Sequence, residues 1–161
     1  MKAQLVTAAA LIAVGCAGAA SAQDSRTREF LRNAMQGDSS EVMLGKLAAD
    51  QGGSEAAKRY GEMLVEDHSM HLKKVEMVAA SVKVSADDRP TDAANRELHK
   101  LAMLHGDKFD HEFAEYMIKD HRKDIGEYEK AARMKGDVGA LARETLPTLH
   151  KHLSAAEKLK G

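Results

Sequence analysis

Leu64, His68, His71, Val75, Val78 and Val82 recur at intervals of four, three, four, three and four. That spacing keeps one side of an α-helix inward for about five turns, and it does not fit the period of two that a strand needs. Similar stripes recur along the chain. Phe30, Leu31, Ala34, Glu41, Gly45 and Ala48 mark a helix from Ser25 to Asp50. Asp110, Ala114, Met117, His121, Ile125, Tyr128 and Ala132 mark one from Lys108 to Met134. Val138, Leu141, Ala142, Thr145, Leu149, His152, Ala156 and Leu159 mark the last. A helix with one apolar face must bury it against others, so the chain predicts an all-α four-helix bundle.

The punctuation agrees. Gly52-Gly53 stops the first helix and Ser54 caps the second, which runs to Val82. The polar segment 84–91 is a loop, and a short extra helix follows it from Asp92 to Leu104, expected across one end of the bundle. Gly106 breaks it and Asp107 is the expected N-cap of the third long helix. Gly136 ends that helix and Asp137 is the expected cap of the fourth, with a bend expected near Pro147. Short connections favour antiparallel neighbours in an up-down-up-down order.

The amino terminus reads as a secretory signal. Met1-Lys2 is a basic start, Leu5 to Val14 is apolar, and Ala20-Ser21-Ala22 has the form that signal peptidase cleaves. Residues 1–22 are therefore expected to be removed, leaving 23–161 as one exported domain, periplasmic or secreted, without a transmembrane span. A lipoprotein signal ending at Cys16 is the minority reading. Cys16 is the single cysteine, so the mature chain has no disulfide and no thiolate ligand. With 24 basic and 25 acidic residues interspersed and 4% aromatics, nothing predicts a nucleic-acid surface.

The inward stripes carry ionisable residues: Glu41, His71 with His68 toward the edge of the same face, Asp110, His121 and His152. Burying such groups is costly unless they pair or bind a metal. Glu41, His68, His71 and His121 lie near the midpoints of their helices and His152 somewhat beyond, so they can share one level. Three histidines and one carboxylate suit zinc or iron, with copper as runner-up because Met63, Met70 and Met77 form a stripe on the same helix. Such a stripe is more commonly core filler. Asp110 lies about 16 Å along the axis from His121 and belongs to a second polar level. Asp67 and Asp120 precede candidate ligands and are either outer-shell acceptors or solvated caps. His99, His105, His111 and His150 read as surface groups. Val65, Ile118 and Leu149 stand where a di-iron Glu-x-x-His pattern needs Glu, so that pattern is absent.

Certain segments carry a resemblance: Glu41-Val42 with Gly45-Lys46-Leu47-Ala48, Met63 to His68, Phe109-Asp110, Asp120-His121, and Thr145 to His152. Together they resemble the exported bacterial family called domain of unknown function 4142, over nearly the whole mature chain. The resemblance implies a ferritin-like bundle, often labelled a membrane or outer-membrane protein, with no established activity. Its motif polar residues fall on Glu41, His68, Asp110, His121 and His152, selecting His68 where phase favours His71. The expected role is metal binding, sequestration or a stress response. The rival readings are a metal-free structural or interaction module and a metal-dependent oxidase or hydrolase.

Overall fold

The computed structural model describes residues 16–161, with side chains from Asp24 onward. The apolar part of the expected signal, Leu5 to Val14, lies outside the described residues. Five helices follow in order: α1 (Cys16–Gln51), α2 (Glu55–Ser81), α3 (Asp92–Leu101), α4 (Asp107–Ala131) and α5 (Gly136–Lys160). Among the described residues there is no strand, and no helix is long and apolar enough to cross a membrane. The all-α bundle with one extra short helix is the expected architecture.

The order of directions differs from expectation. Contacts between α1 and α2 pair Gly45 with Gly61 and Asp38 with His68, so these helices are antiparallel. Contacts between α1 and α4 pair Phe30 with Tyr128, Gly37 with Asp124, and Glu41 with His121, so these are antiparallel too. Both α2 and α4 therefore run opposite to α1. Asp67–His152 and Lys74–Glu144 show that α5 opposes α2. The order is up-down-down-up, and the expected up-down-up-down is corrected. The cause is α3, which lies along α1 instead of across an end. Thr91 N–H donates to Ser40 Oγ at 3.0 Å, and Gln51 Nε2 donates to the Leu101 carbonyl at 3.0 Å. The segment from Val82 to Gly106 thus carries the chain back along the bundle, and two helical hairpins are joined by one long crossover.

Local signals account for most boundaries. The Ser54 hydroxyl accepts from Ala57 N–H and Thr91 from Ala94 N–H, each satisfying a donor that the first turn cannot. Two expected caps are corrected. The residue before α4 is Gly106, at φ 59°, and Asp107 lies in the first turn. The residue before α5 is Lys135, with Asp137 in the first turn. There a carboxylate still favours the helix through its dipole. Pro147 sits inside α5, which continues through it.

The core has two apolar compartments. One gathers Phe30, Leu31, Met35, Val75, Ile125, Tyr128, Leu141 and Leu149. The other gathers Leu44, Leu64, Leu101, Phe109, Phe113, Met117 and Ala156. On every long helix the switch between compartments is a polar residue: Asp38 and Glu41 on α1, His68 on α2, His121 on α4, His152 on α5. Gly45 and Gly61 let α1 and α2 approach closely above this layer. A Cβ on Gly61 would lie 2.5 Å from the Gly45 carbonyl oxygen.

Candidate metal centre

Each imidazole of the polar layer is held from behind. His68 Nδ1 lies 2.8 Å from Asp38 Oδ1, His121 Nδ1 lies 3.0 Å from the Met117 carbonyl oxygen, and His152 Nε2 lies 2.8 Å from Asp67 Oδ2. A carboxylate or a carbonyl only accepts, so each of those nitrogens carries the proton and donates. A neutral ring then leaves a lone pair on His68 Nε2, His121 Nε2 and His152 Nδ1. These three atoms are buried and have no hydrogen-bond partner.

The rings face one another across the bundle. Their centroids are 5.1 Å apart for His68 and His152, 5.3 Å for His121 and His152, and 6.0 Å for His68 and His121. One ligand nitrogen from each lies within 4.8 Å of the other two. Nitrogens bound tetrahedrally at a metal–nitrogen distance of about 2.05 Å stand about 3.4 Å apart, so a small inward movement of the rings would fit an ion. Burial, reinforced by the neighbouring imidazoles His68 and His152, pushes the pKa of His121 down to about 3 against the pull of its Met117 bond. Burial likewise lowers His152 to about 4, although Asp67 pulls the other way. Both rings are neutral at pH 7, the form that ligates.

The other expected residues are placed differently. Glu41 is fully buried, but it is not part of the three-histidine group. Its Oε1 lies 3.6 Å from His121 Nδ1, behind the ring, and neither oxygen has a donor. Burial first, then the carboxylates of Asp120 and Asp124, hold its pKa well above the ordinary value. Asp120 lies near enough for its carboxylate to help raise the Glu41 pKa. His71 is one turn beyond His68 and uses both nitrogens. Nδ1 donates to Asp38 at 2.8 Å and Nε2 meets Thr145 Oγ1 at 2.9 Å. Asp110 accepts from Gly53 N–H at 2.7 Å and ties α4 to the α1–α2 turn, at a second polar level. Asp67 accepts from His152 and from Lys151 instead of capping. Burial alone would raise its pKa, but these two partners bring it below the ordinary value.

His99, His105, His111 and His150 are exposed, as expected. Of the methionine stripe only Met63 packs against the core, and Met70 and Met77 are 51% and 67% exposed. The residue that sequence reasoning missed is Asp38. The signal was present, since Ala34, Asp38, Glu41, Gly45 and Ala48 step by four, three, four and three.

An all-α bundle whose two apolar halves are separated by a layer of converging histidines defines the class of this protein. The chain belongs to the family described as Domain of unknown function (DUF4142), whose model matches residues 14–159. No curated protein matches it. Among solved structures it is similar to a DUF305 fragment from Deinococcus radiodurans, with a TM-score of 0.75 and 13% identity, covering 84% of this chain and 95% of that one. At that identity the likeness concerns the fold.

Proposed function

We propose that the protein binds a transition-metal ion at the middle of the bundle, through His68 Nε2, His121 Nε2 and His152 Nδ1. The observation that carries this reading is the set of three buried lone pairs without donors. Three acceptors cannot satisfy one another, and a buried polar atom without a partner is costly. A network serving only to fix helix register would bond internally. An ion supplies the missing partner to all three at once. The acceptors behind the rings, Asp38, Met117 carbonyl and Asp67, are the kind that orient metal-binding imidazoles and raise their basicity.

Three imidazole ligands favour zinc or iron, with copper next. Glu41 then acts from behind His121. The single crossover between two hairpins is a connectivity that ferritin-like bundles use, and it supports a ferritin-like reading. With the signal-like segment from Met1 to Ala22, the role that follows is metal binding or sequestration in an exported protein. The test is elemental analysis of the untagged protein beside a His121→Ala/His152→Ala variant. The expected result is a stoichiometric ion in the first and none in the second. No ion in the wild type after loading with zinc, iron and copper overturns the proposal.

A further inference from the structure

A groove of about 500 Å³ opens between α1 and α4, and its wall includes Asn33, Gly37, Asp120, Asp124 and Glu127. A second, much smaller cavity of about 10 Å³ shares Asn33, Gly37, Asp124 and Glu127 with it and ends on Asp38 and His68. That volume is close to what a single water needs. The two thus share a wall of Asn33, Gly37, Asp124 and Glu127, with the larger groove on its outer side and one of the three converging histidines bordering the inner cavity. His68 is also the least completely buried of the three, at 5% against 1% for His121 and 0% for His152. Its Nε2 has no partner.

The charges along this route are ordered. The outer groove carries Lys119 and Lys123 as well as acids. Lys123 is mostly exposed and pairs with Asp124 at 3.5 Å and with Glu127 at 3.6 Å. The inner cavity has Asp38, Asp124 and Glu127 in its wall and no lysine or arginine. Gly37 stands in the interior of α1, where glycine is less favourable than alanine. Packing does not require it. A Cβ there would meet only Asp124 Oδ2, at 3.8 Å. What the missing side chain leaves is room at the wall the two cavities share.

We infer that this groove is the inlet for a divalent cation, which is gathered by Asp120, Asp124 and Glu127 and passes Gly37 to reach His68. The inference rests on the metal-binding reading above and adds a route to it. Carboxylates at a narrow entrance concentrate cations and speed their association, most strongly at low ionic strength.

The experiment is stopped-flow uptake of cobalt(II) by metal-free protein at about pH 8, above the value of about 7 to which burial raises Asp124, followed by the absorbance of the bound ion, for wild type, Gly37→Ala and Asp124→Asn. Gly37→Ala adds one methyl to the passage without a clash and is expected to fold with at least wild-type thermal stability. Both variants are expected to take up cobalt about tenfold more slowly, with the deficit in Asp124→Asn shrinking as salt is raised. Equilibrium affinity is expected to be unchanged, because neither residue is among the three histidines. Wild-type rates in both variants overturn the inlet while leaving the metal centre standing. A lower affinity with an unchanged rate also overturns it, since Asp124 would then belong to the site. No uptake by wild type refutes the centre itself and the inlet with it.

Discussion

Replacing His121 with leucine separates the cost of the metal centre from its use. In the metal-free protein His121 makes one side-chain hydrogen bond, to a Met117 carbonyl already inside a helix, and leaves Nε2 buried without a partner. Losing the bond costs about 1 kcal/mol, while removing the unpartnered nitrogen returns about 1–3 kcal/mol. Leucine is similar in volume and adds apolar burial beside Met117. The metal-free variant should therefore be more stable than wild type by about 1 kcal/mol, within the range such relief allows. For a chain of this size that corresponds to a melting temperature higher by about 3 °C. Zinc should reverse the order. At a hundredfold excess over the dissociation constant, binding stabilises the wild type by about 2.7 kcal/mol. That raises its melting temperature by about 8 °C and leaves the variant unmoved. Scanning calorimetry with chelator and with zinc reads all four values. A metal-free variant less stable than wild type, or one that zinc still stabilises, would refute the reasoning.

Two further outcomes test neighbouring features. Glu41 has a folded pKa raised above its unfolded value, so its contribution is full below about pH 4.5 and is lost as pH rises through the raised value. Glu41→Gln cannot ionise and should escape that loss. In urea titrations it should match wild type at pH 4 and exceed it at pH 8, by about 1.4 kcal/mol for each unit of the shift. Wild type equal to the variant at both pH values would show that Glu41 ionises freely. Gly61→Ala places a Cβ 2.5 Å from the Gly45 carbonyl oxygen and 2.6 Å from Ala49 N, both backbone atoms that cannot step aside alone. It should cost about 1–3 kcal/mol in chemical denaturation, and an unchanged midpoint would mean that α1 and α2 do not pack this closely.

Local interactions made the helices legible. The apolar period, the Gly52-Gly53 stop and the Ser54 cap act within a few residues of one another, so sequence alone gave their positions. The placement of ionisable groups on inward faces was legible for the same reason, and it drew attention to Glu41, His71 with His68 at the edge of its face, Asp110, His121 and His152 before any neighbour was known. Asp38 had the same signal, a polar residue on the stripe between Ala34 and Glu41.

What the sequence could not decide depends on contacts between distant segments. Whether α4 runs with α2 or against it depends on where α3 docks, and that is settled by Ser40 meeting Thr91 and Gln51 meeting Leu101. His68 and His71 both lie on the inward stripe of α2, where helix phase favours His71, and the packing reverses that order. Asp38 and Thr145 occupy both nitrogens of His71, whereas His68 keeps one free. Glu41 lies at the right height but behind His121, because crossing positions and side-chain directions are set by how four helices pack. The sequence by itself determined four amphipathic helices with a polar level at their middle. Only the tertiary structure decided which lone pairs face one another, since that is a property of the space between helices and not of any one of them.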